Sequence, residues 1–163
     1  MNGNGNLFQC KITEIASKKC FLEIINKQSF DKVNNLHIAI APTKNINRLE
    51  FFLEKTTEIG IAKITPILCA RSERKVIKNE RLEKILLSAS KQSMNFHLPV
   101  LEKLTTYKEF IQNTNQELKF IAHCEETDKK SLNYSVAEIR LHNKKADCLV
   151  IFATKEKKLN RLV

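Results

Sequence analysis

The sequence predicts an α/β fold, a mostly parallel sheet with helices on both faces, preceded by a β-hairpin. Three observations carry that expectation. From Leu36 onward, short apolar runs alternate with amphipathic stretches, the pattern of strands joined by crossover helices. Ile61, Ile64, Ile67 and Leu68 form a β-branched run short enough to be a buried strand of a parallel sheet. Before residue 30 the pattern is different: two strand-like segments flank a polar loop, the signature of an antiparallel hairpin.

The elements follow in order. Asn2-Gly3-Asn4-Gly5-Asn6 reads as a turn, Leu7 to Thr13 and Cys20 to Ile25 as the hairpin strands, and Gln28 to Asn35 as a linker. Leu36 to Ala41 is the first strand of the sheet. A helix then runs to Ile59, with Leu49, Phe52, Leu53, Thr56 and Ile59 on one stripe at the three-and-four spacing of a buried face. Gly60 stops it, because a residue free to take positive φ satisfies the last carbonyls. Strand Ile61 to Leu68 leads into a basic turn, Arg71 to Lys75, and helix Glu80 to Ser93 follows. An extended piece at Pro99 to Leu101, helix Tyr107 to Gln112, strand Leu118 to His123, a helix around Val136 to Leu141 and strand Cys148 to Ala153 complete the alternation.

Composition narrows the function classes. The chain of 163 residues, 42% hydrophobic and 28% charged, has the balance of a globular protein with a real core. No apolar run approaches the roughly 20 residues of a membrane span and no secretory signal opens the chain, so a cytoplasmic location is expected. Net charge is +10, and residues 69 to 91 hold seven basic groups against three acids. Such an excess suits a polyanion, although from charge alone a solvated helix face explains it equally well. Five cysteines, Cys10, Cys20, Cys69, Cys124 and Cys148, show no C-x-x-C pair and no metal-ligand spacing with histidine. They are expected to be mostly small core residues, with no metal site.

Three motifs are more specific. They are Glu54-Lys55-Thr56-Thr57-Glu58-Ile59-Gly60 at the first helix end, Pro66 through Arg71-Ser72 in the strand and turn, and Gln92-Ser93-Met94-Asn95 at the second helix end. Together they resemble the "EKATELG", "P-ERS" and "QSGR" pieces of the ribosomal RNA small subunit methyltransferase E family, over about Leu7 to Leu149. Ala70 stands where that family usually has Glu, and Met94-Asn95 replace its Gly-Arg. The resemblance implies a knotted methyltransferase fold that transfers a methyl group from S-adenosylmethionine to N3 of a uridine in small-subunit rRNA. It implies the rRNA or the 30S subunit as partner, and a homodimer in intact relatives. It also divides the chain into residues 1–29, a remnant of an amino-terminal PUA-like RNA-binding barrel, and residues 30–163, the methyltransferase domain.

Uridine N3 methylation requires loss of an imino proton and in-line attack on the sulfonium methyl. Arg71 is the first candidate to hold phosphate or the developing anion, because its planar fork makes paired contacts. Glu58 is a candidate general base, or an exposed helix residue paired with a neighbour such as Lys55. Lys44, Arg48, Arg71, Ser72, Arg74, Lys75, Gln92 and Ser93 form the expected RNA-binding set, each with a plainer reading as solvated charge, cap or packing. By the resemblance, His123 at a strand end borders the adenosyl group. His37, His97 and His142 show no partner spacing.

The family's glycine-rich "GPEGG" loop and its later "LRTETA" segment have no counterpart, and no glycine follows Gly60. The expectation is therefore an inactive fragment of a methyltransferase fold, an incomplete knot whose close backbone approach to a cofactor is missing. A non-catalytic RNA-binding remnant is the alternative. An unrelated α/β enzyme stands third, since neither a G-x-S-x-G elbow nor a Walker sequence is present.

Overall fold

The computed structural model describes residues 1–32, 35–116, 118–122 and 148–152. Two sheets are present. Strands β1 (Asn6–Ala16) and β2 (Lys19–Ser29) form an antiparallel ribbon of their own. The second sheet has six strands: β3 (His37–Ile40), β4 (Lys63–Leu68), β5 (Val100–Leu101), β6 (Thr105–Thr106), β7 (Leu118–Ala122) and β8 (Cys148–Phe152). Its order is β5-β4-β3-β8-β7, β6 also pairs with β4, and every pairing is parallel. The gap between β5 and β6 falls opposite Thr65 and Pro66, where proline supplies no ladder donor.

Helices cover both faces. On one, α1 (Ile46–Ile59) and α2 (Asn79–Gln92) pack side by side. Leu49, Leu53, Leu82 and Leu86 bury against Ile38, Ile61 and Ile64. Burial of each such side chain contributes about 1.5–3 kcal/mol. On the other face, α3 (Tyr107–Gln112) sets Phe110 against Ala39, Ala41, Ile67 and Cys69. The alternation of Ile38 and Ala39 between the two clusters follows from the two-residue period of a strand.

Local chemistry explains the helix ends. Asn45 caps α1 by accepting from the Asn47 amide at 3.0 Å. Gly60, at φ 90°, closes it by donating to the carbonyls of Thr56 and Thr57. A Cβ at Gly60 meets only Asn95 Nδ2 at 3.5 Å, so the cost of a side chain there is conformational. Gly60→Ala is expected to lower unfolding free energy by about 1–2 kcal/mol in urea titration. A variant within error of the parent would mean that this turn relaxes.

Several expectations need correction. Ile59 is 70% exposed; the buried stripe runs Leu49, Leu53, Thr56 and Thr57, with Phe52 half-buried. The ribbon strands are longer than expected, since β2 takes in Gln28 and Ser29 and bulges at Gln9/Cys10 and Ile12/Glu14 keep the ladder running. Cys10 and Cys20 are exposed on that ribbon, while Cys69 is buried. The expected helix at 136–141 lies outside the described residues. Among the described residues, no helix is long and apolar enough to cross a membrane.

The ribbon joins the α/β body at its base. Phe30 stacks on Phe96 with centroids 4.2 Å apart, and His97 Nε2 donates to the Phe30 carbonyl at 2.7 Å. Gly5, at φ 79°, lies so close that a Cβ would sit 2.5 Å from the His97 ring and 2.7 Å from that carbonyl.

Candidate functional site

Open parallel sheets place their ligands at the carboxyl ends of the strands, where neighbouring connections diverge. Here β3 is flanked by β4 on one side and β8 on the other. The loop leaving β3 and the turn leaving β4 enclose a notch lined by Pro42, Thr43, Lys44, Asn45, Arg48, Arg71, Ser72 and Glu73, with a volume of about 540 Å³.

Each wall is built locally. Ser72 braces the turn after β4: its amide donates to the Cys69 carbonyl at 3.0 Å and its hydroxyl accepts from the Cys69 amide at 2.9 Å. On the opposite wall, Thr43 Oγ1 donates to the Asn45 carbonyl at 2.8 Å, just ahead of the Asn45 cap. Arg74, half-buried, joins the walls through Nε to the Thr43 carbonyl at 3.1 Å and Nη2 to the Lys44 carbonyl at 2.5 Å.

Lys44, Arg48 and Arg71 are exposed. Among the described residues no ion pair or hydrogen bond engages their side chains. Three unpaired cations therefore meet one exposed carboxylate, Glu73. Such a notch attracts an anion, and the Arg71 fork suits paired contacts with phosphate oxygens.

The structure brings Lys44, Arg48, Arg71 and Ser72 together and sets Arg74 behind them. Lys75 is exposed on the same turn but does not line the notch. Gln92 and Ser93 lie elsewhere, at the carboxyl end of α2, where Ser93 Oγ donates to the Ala89 carbonyl at 2.8 Å. That end is tied to the end of α1, because Asn95 Nδ2 donates to the Thr57 carbonyl at 2.9 Å. Met94 between them has φ 55°, the left-handed region, where the resembled family carries glycine.

Glu58 is also distant from Arg71. It lines a separate cavity with Gly3, Gly60, Asn95 and His97, and its carboxylate accepts from Lys55 Nζ at 3.0 and 3.1 Å. Lys55 also bridges to Glu54 at 2.9 Å, and these hydrogen bonds raise the lysine above its ordinary value. The two catalytic candidates thus do not share a cleft. His123 lies outside the described residues.

Two histidines to which the sequence assigned nothing have definite places. His97 belongs to the ribbon joint. His37 is buried at the start of β3, with Nε2 at 2.8 Å from Thr65 Oγ1 and its ring edge-on to Phe110. Burial pushes its pKa down to about 4, with the Lys63 cation adding to the shift and Glu102 opposing it. Pro42, Thr43 and Asn45 were also missed as lining residues. An asparagine three residues before Arg48 was the available signal, as the cap that fixes where the loop ends.

Comparison with known proteins places these features. The family model described as an RNA methyltransferase domain matches residues 31–153. A ribosomal RNA small subunit methyltransferase E from Rickettsia conorii is 24% identical over 136 residues, covering 82% of this chain and 55% of the relative. The chain spans about half the length of the curated relatives it matches. Among solved structures, a probable rRNA-methyltransferase from Porphyromonas gingivalis is 30% identical with TM-score 0.78, covering 94% of this chain and 64% of that one. A ribosomal RNA small subunit methyltransferase E from Neisseria gonorrhoeae, bound to S-adenosyl methionine, shares the fold at 19% identity with TM-score 0.70, covering 93% of this chain and 62% of its own.

Proposed function

We infer, on the premise that this chain belongs to the RNA methyltransferase domain family, that it serves methylation of small-subunit ribosomal RNA in the cytoplasm by engaging the RNA at the notch. The carrying observation is the convergence of Lys44, Arg48 and Arg71, unpaired among the described residues, at the carboxyl edge of the parallel sheet. The target group in this reading is uridine N3, and the methyl donor is S-adenosylmethionine, the ligand of the Neisseria neighbour. The homodimer belongs to the same reading.

The chain's own residues supply binding and orientation. Arg71 presents two donors to a phosphate or to an enolate-like uracil oxygen, and Lys44 and Arg48 neutralise the adjacent backbone. S-adenosylmethionine would supply the methyl group, and the segments that follow β7 and β8 lie outside the described residues.

The two parts of the reading are tested together by incubating the 163-residue chain with small-subunit rRNA and labelled S-adenosylmethionine. RNA affinity that falls steeply with salt, together with methyl transfer to a uridine, is the expected outcome. Salt-independent or absent binding would remove the RNA role. Salt-dependent binding without transfer would leave the RNA role and remove the methyl-transfer role.

A further inference from the structure

Arg74 was expected among the RNA contacts, but its surroundings give it other work. A guanidinium grips a phosphate through a pair of neighbouring N–H donors, and here one such pair, Nε and Nη2, is engaged by the carbonyls of Thr43 and Lys44, 31 and 30 residues earlier in the chain. Arg74 is also half-buried, whereas Arg71, three residues before it, is exposed.

We propose that Arg74 is a positioning residue of the notch, a clamp that fixes the loop after β3 against the turn after β4. The proposal rests on the RNA reading above. The β4 wall is already braced by the reciprocal Ser72–Cys69 bonds. The β3 wall has Thr43 Oγ1 on the Asn45 carbonyl, a bond within the loop that does not fix its place relative to β4. Arg74 provides that missing tie, and it acts on the two residues that carry Lys44 and lead into the α1 cap. With the clamp closed, Lys44 and Arg48 face Arg71 across one opening. Without it, the loop samples many positions, and RNA must then bear the cost of ordering it.

Lysine separates this role from direct contact. It keeps the positive charge for a phosphate, but a compact ammonium does not reproduce the planar two-donor grip on adjacent carbonyls. R74K is therefore expected to bind small-subunit rRNA about tenfold more weakly than the parent, close to R74A, as loss of a charge-assisted hydrogen bond implies. Hydrogen exchange at the amides of residues 45–48 should accelerate in both variants. A second measurement needs no variant: in the NMR spectrum of the parent chain, the Arg74 Nε–H should be protected before RNA is added and stay in place on titration, while the Arg71 Nε–H shifts.

R74K binding like the parent, or an Arg74 Nε–H signal that moves with that of Arg71, would overturn the clamp and return Arg74 to the phosphate contacts. If the parent chain itself shows no salt-dependent RNA binding, the RNA reading fails and the notch role with it. That result is distinct from parent binding that R74K leaves unchanged, which removes only the clamp.

Discussion

Replacing Lys44, Arg48 and Arg71 together by alanine should weaken binding of small-subunit rRNA by about a hundredfold or more at low salt, because charge-assisted contacts are lost as a group. The plot of log affinity against log salt should flatten by about 2, since each single-strand phosphate contact contributes about 0.7 to that slope. All three side chains are exposed and make no bond among the described residues. Unfolding free energy should therefore change by no more than about 0.5 kcal/mol. Filter binding across a salt series, beside urea unfolding, measures both quantities. An unchanged slope would make the notch an ordinary solvated surface.

The second large effect concerns acid stability. His37 has a folded pKa near 4, below its ordinary value of 6.5, because burial disfavours the imidazolium. Its neutral form supports the fold fully above pH 6.5. As pH falls from 6.5 toward 4, the unfolded chain takes up the proton first and stability is lost, by about 3 kcal/mol in all. Below pH 4 both states are protonated and this contribution levels off. His37→Gln retains a neutral group able to bond Thr65 but does not titrate. The difference in unfolding free energy between parent and variant should thus shrink or reverse between pH 6.5 and 4. A difference that stays constant through that window would place the imidazole in a more hydrated setting than its burial implies.

Much of the architecture was legible because it depends on neighbours in sequence. The helix stripe from Leu49, the Gly60 stop and the β4 run each follow from local spacing, and the basic turn falls at the carboxyl edge as strand-to-helix alternation requires. Ile59 was misplaced because periodicity tells which side a residue occupies, not where the covering element ends; at the end of α1, beside Asn95, Thr56 and Thr57 are covered and Ile59 is exposed. Cys10 and Cys20 are exposed for a related reason, since they lie on a ribbon face with no cover among the described residues. In the site, the Arg71 and Lys44 loops were visible, but the reach of Arg74 back to Thr43 was not, because a contact across 31 residues leaves no mark in local spacing. The same distance hid His37 and His97, whose partners Thr65 and Phe30 lie 28 and 67 residues away.

The strand pairing sets a timetable. The β1–β2 ribbon closes on neighbours only a short turn apart and forms on the microsecond scale of hairpins. The central strand β3 is in a different position, because His37 pairs with Lys63 on one side and with Leu149 on the other. During synthesis β3 and β4 can meet early, yet the second edge of β3 stays open until the ribosome has delivered β8, more than a hundred residues later. At about 5–20 residues per second that interval lasts about 5 to 20 seconds. For that time the nascent sheet displays an unpaired edge, and a chaperone that shields strand edges would act on it then and not after release.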